Sequence, residues 1–122
     1  MVNEEGKLYV AHGTCPLTLE PKMANRHGLI AGATGTGKTV SLQVLAESFS
    51  DLGVPCFMAD MKGDLSGVSK AGELTNFIAK RETEFGVKFD FQPYPVQFFD
   101  VYGAQGTPLR VSVKEFGVML FS

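Results

Sequence analysis

Apolar residues recur along the chain in two registers, one helical and one extended, and their order lays out most of the expected elements. After Thr39, Leu42, Leu45, Phe49 and Leu52 fall at spacings of three, four and three. That is one face of a helix, widened by Val44. Gly53 is placed to end it. Leu74, Phe77, Ile78 and Phe85 repeat the pattern up to Gly86 and predict a second helix, with Arg81 and Glu84 on its solvated face. Phe116, Met119 and Leu120 predict a third, starting at Lys114.

Short apolar runs predict the strands. They lie over residues 8–11, 29–31, 54–59, 87–91, 96–102 and 109–113, with Leu17 and Leu19 forming an edge strand before Pro21. The run Val54-Pro55-Cys56-Phe57-Met58-Ala59 is continuous and bounded by Gly53 and Asp60, the pattern of a strand buried on both faces. Strand, helix and strand from residue 29 to residue 59 make a β–α–β unit, with a right-handed crossover expected.

Between the first strand of that unit and its helix lies Gly32-Ala33-Thr34-Gly35-Thr36-Gly37-Lys38-Thr39. It fits the phosphate-loop pattern G-x-x-x-x-G-K-[ST] at every fixed position. Glycines let successive backbone N–H groups converge on one phosphate. Lys38 supplies charge for the outer phosphates, and the Thr39 hydroxyl is suited to Mg²⁺. The helix that follows adds its positive end. The expected ligand set is therefore a nucleoside triphosphate with Mg²⁺. Thr34, Gly35, Thr36, Gly37, Lys38, Thr39, Val40 and Asp60 bind the nucleotide, Lys38 is the catalytic group and Thr39 the metal ligand. The alternative to a nucleotide site is a Gly/Thr-rich surface turn.

A hydrolase also needs a carboxylate at a strand end to organise Mg²⁺ and a water. Asp60 follows an apolar run and has three readings: that metal-organising carboxylate, a second-tier residue near the loop, or a cap on the following turn. Asp100 shows a weaker version of the pattern and reads as a turn residue. Neither is followed by Glu. His12 and His27 are isolated and read as structural hydrogen-bonders. Arg26 and Arg110 read as solvated or structural, and the phenylalanines from Phe85 to Phe99 as core.

The chain has 122 residues, 44% of them apolar and 20% charged, with a formal net charge of −2. It is one domain by length. A slightly acidic balance argues against a free-standing nucleic-acid binder with a basic face. Cys15 and Cys56 lie far apart with no C-x-x-C pair, which argues against a metal site or a disulfide scaffold. Cys56, in its apolar run, is expected to be a small buried residue. No apolar run approaches the length of a membrane span, and the start of the chain lacks a signal-peptide pattern, so the expected location is the cytoplasm, with no membrane partner.

The run from His27 to Thr39, followed by Phe57-Met58-Ala59-Asp60-Met61-Lys62-Gly63-Asp64-Leu65-Ser66-Gly67, resembles the HerA-like ATPases of the HerA/FtsK superfamily. The likeness continues through Phe98-Phe99-Asp100-Val101-Tyr102-Gly103 and Pro108-Leu109-Arg110-Val111. The second segment is far more diagnostic than the loop, which many families share. The resemblance implies an ATP-driven motor acting on double-stranded DNA as a homo-oligomer, a hexameric ring. It implies that the Mg²⁺-organising Asp-Glu strand lies beyond residue 122, with another strand between it and the loop strand, so that Asp60 sits on that adjacent strand in a second-tier role.

The expected fold is thus α/β: a P-loop NTPase-type, mainly parallel sheet flanked by helices. It is expected to be incomplete, the N-terminal part of such a protein, since the last expected helix stops on apolar residues. Residues 1–26 form a small β extension and residues 27–122 the nucleotide-binding part. Two other readings stay open. One is a self-sufficient P-loop kinase or GTPase using Asp60 as its metal carboxylate. The other is a non-catalytic interaction domain that keeps the loop as an anion-binding relic.

Overall fold

The computed structural model describes residues 1–110. The helix expected from Lys114 lies outside them, as does most of the strand expected over residues 109–113. The described chain opens with a hairpin of β1 (Leu8–His12) and β2 (Pro16–Leu19). The two pair antiparallel, with Leu8 opposite Leu19 and His12 opposite Pro16, and the register shifts between Tyr9 and Ala11. A short 3₁₀ turn at Pro21–Met23 follows. Helix α1 (Lys38–Asp51) starts directly after the glycine-rich loop. A second 3₁₀ turn, Ser66–Ser69, precedes α2 (Asn76–Phe85). Two short strands, β3 (Phe99–Asp100) and β4 (Thr107–Pro108), pair in parallel.

Both helices end where their glycines lead one to expect, but α2 starts after Leu74, which the apolar pattern places inside it. At the N-terminus of α2 the Ile78 N–H donates to Thr75 Oγ1 at 3.3 Å, which satisfies one of the donors a first turn leaves free. At its C-terminus Gly86 takes a left-handed conformation and donates its N–H to the Glu82 carbonyl. Past α1, Gly53 donates to the Ser50 carbonyl at 2.8 Å.

The core forms where β1 lies on α1. Leu8 is fully buried there, with Tyr9 and Ala46 beside it. Ser48 is also wholly buried. Its hydroxyl donates to the Val44 carbonyl at 2.6 Å and accepts from the Met1 ammonium, so no polar atom is stranded. Leu65 and Val68, at the start of and within the second 3₁₀ turn, are also buried. The expected stripe on α1 is only half covered. Leu45 and Phe49 are half-buried, whereas Leu42 and Leu52 remain exposed.

The apolar runs at residues 29–31 and 54–59 are not hydrogen-bonded into a sheet among the described residues, and neither is the run at 87–91. The described ladders are two pairs of two strands each. A doubly covered strand needs neighbours on both edges, and these runs have none there. Their side chains show it: Leu29 is 89% exposed and Phe57 85%. Cys56 likewise departs from expectation. The residue is exposed, although its sulfur leans on α1, 3.9 Å from the Ala46 carbonyl oxygen. That partial desolvation raises the thiol pKa. Among the phenylalanines expected as core, Phe85, Phe89 and Phe91 are half-buried and Phe98 and Phe99 are exposed.

This packing predicts that Leu8→Ala lowers the unfolding free energy by about 2–4 kcal/mol, the usual result of emptying a buried leucine site. Leu29→Ala should change it by no more than about 0.5 kcal/mol. Urea unfolding of the two variants checks this, and equal losses would contradict the placement of the core.

Candidate functional site

The loop between Gly32 and Thr39 is held by its own backbone. The Thr36 hydroxyl donates to the Ala33 carbonyl at 2.8 Å. A Cβ at Gly32 would stand 2.6 Å from Thr36 Oγ1, so a larger residue there would turn the Thr36 hydroxyl away from the Ala33 carbonyl. Gly37 takes φ +90°, a left-handed conformation open to glycine at little cost, and from it α1 starts without a side-chain cap. The first bond across that junction runs from the Ser41 N–H to the Gly37 carbonyl, 2.9 Å. The N–H groups of Lys38, Thr39 and Val40 have no backbone or side-chain acceptor among the described residues. These are the donors that every helix start leaves free. The ammonium of Lys38 folds back over the loop and donates to the carbonyls of Gly32 (2.8 Å) and Ala33 (2.7 Å).

A second segment faces this loop. Thr34, Gly35, Gly37, Lys38, Thr39 and Val40 line one side of an open cleft of about 620 Å³, and residues 59–62 with Asp64 and Leu65 line the other. Thr36, bound to its own loop, is the one expected binding residue that does not line the cleft. The far segment is shaped by Asp60. Its Oδ1 accepts the N–H groups of Lys62 (3.1 Å) and Gly63 (2.8 Å), and its Oδ2 accepts that of Leu65 (2.9 Å). These bonds, the one from Leu65 foremost, hold the Asp60 carboxyl below the usual aspartate range. Gln43 of α1 then donates from Nε2 to the Asp64 carbonyl at 2.9 Å, tying the turn to the helix that begins at the loop.

Thus all but one of the expected nucleotide-binding residues meet in one cleft, and Asp60 joins them as the cap of its own turn. Lys62, Asp64 and the anchor Gln43 were not singled out by the sequence. The first two stand in the diagnostic segment after Phe57, the one signal that could have found them. Asp100 is built in the same way: its carboxylate accepts from Tyr102, Ala104 and Gln105, bonds that lower its pKa, Tyr102 first. It is a turn residue, as its sequence pattern suggests. His12 is structural too. Its Nδ1 lies 3.1 Å from the Tyr9 hydroxyl and its ring stacks on Phe85 at 4.3 Å. His27, Arg26 and Arg110 are exposed and outside the cleft. Among the described residues no cluster of three or more His, Cys, Asp or Glu could hold a metal ion. None of their helices is long and apolar enough to cross a membrane.

Comparison with known proteins matches the chain, over residues 5–122, to the family described as Helicase HerA-like C-terminal. The chain belongs to that family. No curated protein matches it, and no solved structure does. The resemblance read from the loop and from the segment after Phe57 therefore holds at the level of the family. The matching region is the C-terminal one of HerA-like helicases, which corrects the expectation that the chain corresponds to the N-terminal part of such a protein.

The capping geometry sets a pH dependence. The pKa of Asp60 is lowered by folding, so its contribution to the turn is complete above the ordinary aspartate value and is lost as the pH falls through the folded value. The amide resonances of Gly63 and Leu65 should titrate together below the ordinary aspartate range. A midpoint at the ordinary value, or no titration, would show that the carboxylate does not hold the turn.

Proposed function

We propose that this chain is the ATP-binding part of a HerA-related DNA translocase or helicase. One observation carries the reading: three backbone N–H groups without acceptors among the described residues, at Lys38, Thr39 and Val40, open onto a cleft that also holds the Lys38 ammonium. Phosphate oxygens are the natural acceptors for such a donor set. The Thr39 hydroxyl has no hydrogen-bond partner among the described residues, and it suits a hard cation such as Mg²⁺ carried by the triphosphate. In this reading Lys38 leaves the carbonyls of Gly32 and Ala33 to bridge the β- and γ-phosphates. The loop amides from Thr34 to Thr39 hold the β-phosphate. The segments at residues 29–31 and 54–59 take their places as strands of a mainly parallel P-loop sheet once neighbouring strands pair with them. Membership of a family described as HerA-like helicases supports a motor on nucleic acid; double-stranded DNA as its track and a hexameric ring as its form belong to this proposal.

Asp60 supports this reading over that of a small kinase or GTPase. A principal metal carboxylate needs free oxygen lone pairs facing the phosphates, whereas three of the roughly four acceptor sites of the Asp60 carboxylate are taken by N–H groups of the turn. Its place is beside the site as the residue that shapes the far wall.

Mg²⁺-ATP at a hundred times its dissociation constant should stabilise the protein by about 2.7 kcal/mol. Lys38→Ala should remove that stabilisation while leaving the unliganded melting temperature in place, because Lys38 touches only its own exposed loop. Turnover by these 122 residues should stay near the buffer rate, since no Asp-Glu pair is present to organise the attacking water. Calorimetric melts and a phosphate-release assay check both. The absence of any shift with Mg²⁺-ATP would contradict the reading.

A further inference from the structure

A second lysine stands on the wall facing Lys38. Lys62 lines the same cleft as Thr34, Gly35 and Thr39. Its ammonium has no partner among the described residues, where the ion pairs are Met1 with Asp51, Lys7 with Glu5 and Arg81 with Glu84. Its backbone, in contrast, is held. The Lys62 N–H donates to Asp60 Oδ1, and Gly63 reverses the chain straight after it with φ +80°. The bond from Gln43 Nε2 to the Asp64 carbonyl fixes the far end of the turn to α1, and α1 begins at Lys38 itself. The root of Lys62 is therefore indexed to the phosphate loop through two short links, while its charge is unspent.

On the strength of the ATP-binding reading above, we propose that Lys62 is a second phosphate-binding cation. It contacts the terminal phosphate of a bound nucleoside triphosphate from the wall opposite the loop, and so distinguishes triphosphate from diphosphate. The inner phosphates are served by the N–H groups at the start of α1, which lie on the near wall. A cation on the far wall is left with the end of the chain of phosphates. Asp64 lines the far wall as well. A wall bearing one cation and one carboxylate favours a ligand that brings a divalent cation along with its phosphates over a bare anion. Asp60 acts here as a positioning residue, since three N–H groups of the turn already occupy its carboxylate.

Isothermal titration of the 122-residue protein with Mg²⁺-ATP and Mg²⁺-ADP tests this. Lys62→Ala should weaken ATP binding about tenfold, as expected for one lost charge-assisted contact, and ADP binding by less than about twofold. Lys62→Arg should keep most of the preference for ATP, and neither variant should shift the unliganded melting temperature. Lys62→Ala binding both nucleotides like the parent protein, or losing the same factor from both, would overturn the proposal. If Lys38→Ala abolishes binding while Lys62→Ala does not weaken it, only this inference falls. If the parent protein binds neither nucleotide, the ATP-binding reading falls and this one falls with it.

Discussion

The first turn of α1 presents backbone donors that no described residue satisfies, and the candidate site is organised around them. A left-handed Gly37 swings the chain into the helix without a capping side chain. A Ser, Thr or Asp cap would have bonded one of these N–H groups and closed the cradle from within. The loop instead spends its hydroxyl at Thr36 on the Ala33 carbonyl, which leaves the helix start open. The Lys38 ammonium donates to the carbonyls of its own loop, those of Gly32 and Ala33. The donors thus face the cleft, and the loop keeps its shape through bonds that do not use them.

The far wall solves a related problem with the opposite sign of charge. After the run ending at Ala59 the chain must turn sharply, and a turn leaves N–H groups without partners. Asp60 collects three of them on one carboxylate. Asp100 does the same for the chain after β3. Both are exposed or half-exposed aspartates at the end of an apolar stretch, and both are held ionised by backbone donors. A carboxylate in that arrangement builds a loop first; any influence on a ligand reaches it through the residues the loop carries. For Asp60 those residues are Lys62 and Asp64, and Gln43 is the strut that keeps them in register with the phosphate loop.

What could be read from the sequence divides along physical lines. Features fixed by neighbours a few residues away were legible: the glycine-rich loop, α1 with Gly53 beyond it, the body of α2 up to Gly86, and the first hairpin. Each rests on helix periodicity, capping or glycine geometry, which act locally. Features that need distant partners were not. The runs at residues 29–31 and 54–59 read as buried strands because of their apolar content, but a strand is completed by its neighbours, and none pairs with them among the described residues. Cys56 was misplaced for the same reason. The role of Asp60 lay between the two. Its position beside the loop followed from strand–loop order, whereas the direction of its oxygens, toward Lys62, Gly63 and Leu65, depends on backbone angles that residue types alone do not specify.

The central claim is that the start of α1 and the turn after Asp60 form one site for a triphosphate. Amide chemical-shift mapping with Mg²⁺ and a non-hydrolysable ATP analogue tests it most directly. The account predicts that the largest changes fall on Lys38, Thr39 and Val40 and on the turn from Lys62 to Leu65, with β1 and β2 unmoved. Changes confined to one of the two walls, or centred elsewhere in the molecule, would contradict it.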